Sequence, residues 1–160
     1  MRHLVSMLLQ NEAGALARVA GLFASRGYNI ESLTVAATQD ADVSRLTLIV
    51  FGDDAVVEQI VKQSAKLVDV IEIADMTGLP HVERELLVAH VDAEDIASVD
   101  ACLERFGGRL LERGDDRSTI EYTGHAGEVD AFLLALRETG HIVDHARSGI
   151  AAIGYHMVEA

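Results

Sequence analysis

The residues best placed for binding chemistry are Asn11-Glu12-Ala13-Gly14-Ala15-Leu16. They join an apolar run, His3 to Leu9, to an amphipathic stretch that starts at Ala15, so they lie where a strand hands over to a helix. Unpaired backbone N–H groups at a helix N-terminus favour an anion, and a glycine there lets a ligand approach the backbone. An amino acid bound at this point would place its carboxylate on those N–H groups. Its ammonium would need acceptors: Asn11 is local, and Asn29 suits if a dimer interface brings it across. Leu16, Ile30 and Val35 would supply aliphatic walls that admit a small branched side chain and reject a polar one. Local chemistry also accommodates a plainer reading, a capped helix with Gly14 in a tight turn.

Signals for catalysis are absent. There is no nucleophile elbow, no Walker loop and no dinucleotide-binding glycine pattern. His141 and His145 have a metal-ligand spacing for a helix, but Ile142-Val143 between them favour a strand, and no third ligand is near in sequence. Cys102 lies among Val99, Leu103 and Phe106, a packing environment rather than a reactive one. The pairs Asp53-Asp54 and Asp115-Asp116 suit a helix start and a turn. No acid–base–nucleophile set assembles, so no catalytic residue and no metal ligand is expected.

Composition narrows the class. The 160 residues carry 13 Lys and Arg against 26 Asp and Glu, a formal charge of −13 that repels phosphate backbones. No basic patch offsets it, so nucleic acid is not an expected partner. Apolar residues make up 49% of the chain, enough for a core, and no run approaches the ~20 residues that span a bilayer. A single cysteine excludes an internal disulfide, and with no signal-peptide pattern at Met1-Arg2-His3 the expectation is a cytoplasmic protein.

The elements that must hold the Asn11–Leu16 segment follow from periodicity. After the His3–Leu9 strand, Leu16, Val19, Ala20 and Phe23 recur at helical spacing up to Gly27. Ile30 to Thr38 and Ser44 to Phe51 read as a hairpin around Gln39–Asp42, Val57, Ile60, Val61 and Ala65 as a helix face, and Val68 to Asp75 as a strand. The order β-α-β-β-α-β is the split-βαβ unit. After Met76–Pro80 it repeats: a strand over Glu85–Val91; a helix capped by Asp92 with Ile96, Val99, Leu103 and Phe106 on one face; strands over Arg109–Glu112 and Thr119–Thr123; a helix with Val129, Phe132, Leu133 and Leu136; and a strand over Ile142–Ile153. The fold class predicted is α+β, two tandem ferredoxin-like units of about 80 residues each.

Longer strings carry a resemblance. Asn-Glu-Ala-Gly-Ala-Leu-Ala-Arg-Val-Ala-Gly-Leu-Phe (11–23) and Arg-Gly-Tyr-Asn-Ile-Glu-Ser-Leu-Thr-Val (26–35) closely resemble the small, regulatory subunit of acetolactate synthase (acetohydroxyacid synthase). Ser44–Thr47, Lys66–Val70, His81–Leu86 and Ala146–Gly149 agree in order and spacing, so the resemblance covers nearly the whole chain. It implies an ACT domain over residues 1–77, an amino-acid-binding and dimerising unit, followed by a second ferredoxin-like domain over 78–160. It further implies a homodimer with valine at the interface of paired ACT domains. Asn11, Gly14, Ala15 and Leu16 would face the effector from one protomer, and Asn29 and Ile30 from the other. The implied partner is the large catalytic subunit, which holds thiamine diphosphate, Mg²⁺ and FAD and condenses two pyruvates, or pyruvate with 2-oxobutanoate. The small subunit would raise that activity and confer feedback inhibition by valine. Ala13 and Ala17 stand where the family often has Ser, leaving Asn11 and backbone N–H groups as the main polar contacts.

Overall fold

The computed structural model describes residues 1–154. Residues 155–160, which the sequence reading assigns to the second domain, lie outside the described residues. The element order is β1 (Arg2–Gln10), α1 (Ala15–Ser25), β2 (Ile30–Ala37), β3 (Val43–Phe51), α2 (Asp54–Ser64) and β4 (Val70–Asp75), then β5 (His81–Asp92), α3 (Ile96–Phe106), β6 (Arg109–Arg113), β7 (Arg117–Gly124), α4 (Ala126–Thr139) and β8 (His141–Gly154). This is the β-α-β-β-α-β order twice, the tandem ferredoxin-like architecture. The chain divides into two units, Met1–Val82 joined by residues 151–154, and Glu83–Ile150.

In the first unit the strands run in the order β2-β3-β1-β4, every pairing antiparallel, with β2 and β4 as edges. Alternation along β1 sends Val5, Met7 and Leu9 to one face, where they meet Leu46, Leu48 and Val50 of β3 beneath Val19 and Phe23 of α1 and Val57 and Ile60 of α2. Asp53 caps α2, its carboxylate accepting from Val56 N–H at 2.8 Å. His3 ties the ends of the outer elements: its Nδ1 lies 3.3 Å from Asp75 Oδ2, and its Nε2 faces Asp54 Oδ1 at 3.6 Å. Tyr28 packs edge-on against Phe23, ring centroids 6.3 Å apart.

The second unit repeats the order as β6-β7-β5-β8. All four residues of the predicted α4 face, Val129, Phe132, Leu133 and Leu136, are buried, against Leu87, Ala89 and Val91 of β5 and Ile120 and Tyr122 of β7. Phe132 is the hub of an aromatic group, its ring centroid 5.3 Å from that of Phe106 and 4.7 Å from that of Tyr122. Cys102 is buried in this core, and burial raises its thiol pKa, as expected of a packing residue. Gly107, at φ 76°, ends α3 in the left-handed conformation that glycine adopts without strain.

Some local expectations shift. The buried row of α1 is Ala15, Val19 and Phe23, spaced by four, whereas Leu16 and Ala20 face outward. The cap of α3 is Asp95, which accepts from Ala97 N–H at 3.1 Å, not Asp92. Asp92 ends β5 and receives a bidentate pair from Arg117, Nε to Oδ1 at 2.7 Å and Nη2 to Oδ2 at 2.9 Å, across its strand partner. β5 is also longer than predicted, starting at His81 directly after Pro80, and β4 starts at Val70, because Asp69 is held in the preceding turn.

Candidate functional site

The segment between β1 and α1 is fixed by partners distant in sequence. Gln10 N–H donates to Asp69 O at 2.9 Å, and Asn11 N–H to Asp42 O at 2.7 Å. The Asn11 amide is also engaged: Nδ2 donates to Ala41 O at 2.8 Å, and Oδ1 accepts from Ser44 Oγ at 3.0 Å. Asn11 therefore clamps this segment to the β2–β3 turn, with one Nδ2 proton left over. Gly14 follows at φ 91°, the N-cap of α1, in a conformation a side chain adopts only with strain.

A second constraint on Gly14 lies beneath it. Arg18, one turn into α1, donates from Nε to Asp69 Oδ2 at 2.5 Å and from Nη2 to Asp69 Oδ1 at 2.6 Å. Its Nη1 sits where a Cβ on residue 14 would be only 2.9 Å away. Asp69 is 2% exposed, and the hydrogen bonds from Arg18 hold its carboxyl below its ordinary value of 3.8. A folded carboxyl that gives up its proton more readily than the unfolded one adds stability that is complete above about pH 5 and lost as the pH falls through the depressed folded value. Asp92, lowered in the same way by hydrogen bonds from Arg117, acts in the same direction. Thermal melts from pH 7 to pH 3 are thus expected to show a falling midpoint below about pH 4, with a smaller fall in Asp69→Asn. An equal fall in both proteins would remove Asp69 from the account.

The N-terminus of α1 is open. No side chain caps it, and its first turn holds no acidic residue. The corresponding helix of the second unit, α3, is closed by Asp95, and α4 is closed by His125, whose side chain accepts from Gly127 N–H at 3.4 Å while Glu128 accepts from His125 N–H at 2.8 Å. A buried carboxylate, Glu83, also accepts from Ala126 N–H at 3.3 Å. Ala15 N–H turns back to Glu12 O at 3.2 Å, so it is the helix dipole and the next N–H groups, of Leu16 and Ala17, that remain for an external anion, whereas the second unit supplies its own.

Of the predicted residues, Gly14 and Ala15 stand at this opening, Ala15 buried and Gly14 at the surface. Leu16, on the outer side of α1, is 40% exposed. Ile30 opens β2 and packs partly against the core, and Asn29 precedes it with an exposed side chain. The register pairs Leu33 with Leu48 and Val35 with Leu46, so both point to the helix-bearing face of the edge strand, yet they are 37% and 39% exposed. Val35 was expected to line the site, whereas Leu33, Arg18 and Asp69 were missed; the Asp69 of the Lys66–Val70 string was the available signal. His141 and His145 are exposed on β8, and among the described residues no group of three or more His, Cys, Asp or Glu is arranged to hold a metal. No helix among them is long and apolar enough to cross a membrane.

Comparison with known proteins identifies the family. Residues 5–72 match the family model described as the AHAS small subunit-like ACT domain, and residues 84–156 match that of the small subunit of acetolactate synthase. The acetolactate synthase isozyme 3 small subunit of Escherichia coli is 44% identical over 155 residues, covering 96% of this chain and 95% of that one. The acetolactate synthase small subunit of Aquifex aeolicus is 40% identical, covering 98% of this chain and 82% of its own. Among solved structures, the acetolactate synthase small subunit from Thermotoga maritima superposes with a TM-score of 0.86 at 38% identity, over 97% of this chain and 98% of that one. With both units matched in order and nearly the whole length covered, the chain belongs to the family of acetolactate synthase small subunits.

Proposed function

We propose that this chain binds and activates the large catalytic subunit of acetolactate synthase in branched-chain amino acid biosynthesis, and makes it sensitive to valine. The observation that carries the effector reading is the uncapped N-terminus of α1 beside Gly14, in the unit that matches an ACT domain. Residues 1–77 hold the effector and dimerise, and residues 78–160 form the second domain. The condensation of two pyruvates to 2-acetolactate and CO₂ takes place on the large subunit, with its thiamine diphosphate, Mg²⁺ and FAD, and this chain contributes no catalytic residue.

The valine carboxylate accepts from the open N–H groups of Leu16 and Ala17, helped by the remaining Nδ2 proton of Asn11. The isopropyl group packs on Ala15, Leu16 and Ile30. Asn29 comes from a second copy, whose β2 edge meets this one and covers the half-exposed Leu33 and Val35. Its amide oxygen accepts from the valine ammonium. Inhibition then requires that valine bind the less active arrangement of the complex more tightly; a coupling of about 1–3 kcal/mol gives roughly 5–150-fold.

Calorimetric titration with L-valine, with L-lysine as control, tests the site: saturable binding of valine and not of lysine, with about one site per protomer lost in Gly14→Asp, supports it. Addition of the chain to the large subunit tests the rest, with higher turnover and valine inhibition expected together. Turnover that rises without valine sensitivity would separate activation from sensing. Asn29→Ala is expected to weaken valine by about 1–3 kcal/mol, roughly 5–150-fold. Unchanged affinity with loss of the dimer would make Asn29 an interface residue instead.

A further inference from the structure

We propose that the first unit carries a second binding site, on the face of its sheet opposite the helices, for an α-amino acid with an aliphatic side chain. Met7 and Leu9 point into the helix-covered core, so Leu8 points to the other face. The register places Leu8 opposite Arg45 on β3 and opposite Glu72 on β4, so Arg45, Leu8 and Glu72 form one row across three adjacent strands. These three residues line a cavity of about 490 Å³, together with Ala74, Met76 and Leu79 of the same unit. That volume is in the range of small-molecule sites, about 300–1,000 Å³.

The charges in this cavity are arranged for a ligand that carries both signs. Arg45 is partly buried in a chain of net charge −13, yet among the described residues its guanidinium has a hydroxyl and no carboxylate as partner: Nη1 donates to Ser6 Oγ at 3.2 Å. Arg18 and Arg147, both more exposed, are treated differently, each holding a carboxylate bidentately. Glu72 stands two strand spacings from Arg45, about 10 Å between backbones, and the two do not form an ion pair. A carboxylate fits the planar guanidinium fork, an ammonium fits Glu72, and Leu8, Ala74, Met76 and Leu79 give the side chain an apolar bed. A phosphate or dicarboxylate would meet Glu72, and a simple cation would meet Arg45, so the zwitterion is the species both charges accept.

This site shares no residue with the opening at Gly14, and the two are separable by experiment. Equilibrium dialysis of the full chain with radiolabelled L-valine is expected to count about two sites per protomer. Arg45→Met and Glu72→Gln should each reduce the count to about one, Gly14→Asp should do the same, and Gly14→Asp with Arg45→Met should abolish binding. Glu72 is exposed, so Glu72→Gln guards against loss of fold in the arginine variant, and melting curves of both complete the control. An unchanged count in both Arg45→Met and Glu72→Gln would overturn the second site, as would loss of all binding in Gly14→Asp alone. Binding untouched by Gly14→Asp but removed by Arg45→Met would instead overturn the site at α1 and leave this one standing.

Discussion

Replacing Gly14 with aspartate is expected to weaken valine binding at α1 by about 100-fold or more, through at least two lost charge-assisted hydrogen bonds of about 1.5–3 kcal/mol each. Three effects point the same way. The new carboxylate would cap α1 from within, taking the N–H groups that the ligand carboxylate needs, as Asp95 does for α3. It would also repel that carboxylate directly. Finally, its Cβ would lie 2.9 Å from Arg18 Nη1 at a φ of 91°, so the side chain below must move from its place on Asp69. Gly14→Ala separates these effects, because it brings the Cβ without the charge. If alanine weakens valine as much as aspartate does, strain and displacement of Arg18 account for the loss. Titration of both variants, with melting curves to confirm the fold, decides between the causes. Full affinity in Gly14→Asp would place the effector elsewhere.

The second large effect is expected at Phe132. It is fully buried and touches both Phe106 and Tyr122, so Phe132→Ala should cost about 3–5 kcal/mol. At roughly 0.05–0.15 kcal/mol per residue, a unit of this size has little more than that to lose. The second unit should therefore melt early in this variant, while the first, whose core is built from other residues, keeps its transition and its valine affinity. Activation of the large subunit assayed on the same preparation then reports which unit that partner needs. A single transition that takes valine binding with it would show that the two units unfold as one.

How much of this was legible in the sequence depends on how local the determinant is. The α4 face was readable because Val129, Phe132, Leu133 and Leu136 obey helical spacing and a glycine stops the run. The α1 face was misread by one position: Leu16 and Ala20 satisfy the period as well as Ala15 does, and only the sheet decides which row is covered. Asp92 and Asp95 both precede α3 at plausible cap positions, and the choice is made by Arg117, which claims Asp92 from a neighbouring strand. At the site, Gly14 and the helix start could be seen directly, but the Arg18–Asp69 pair that constrains them spans 51 positions. The engagement of Asn11 with Ala41 and Ser44 was equally non-local, as was the row of Arg45, Leu8 and Glu72, which exists only once strand register is known.

The pairing of Tyr28 with Phe23 in one unit, and of Tyr122 with Phe106 and Phe132 in the other, has an optical consequence. The chain contains no tryptophan, so its near-ultraviolet signal is free of indole absorption, and each folded unit holds a tyrosine in an asymmetric aromatic setting. A tryptophan introduced at Tyr28 would be the sole indole emitter and would report only on the unit that carries Gly14. One introduced at Tyr122 would report only on the other, so a pair of single-tryptophan variants could follow each unit by itself without attaching a label.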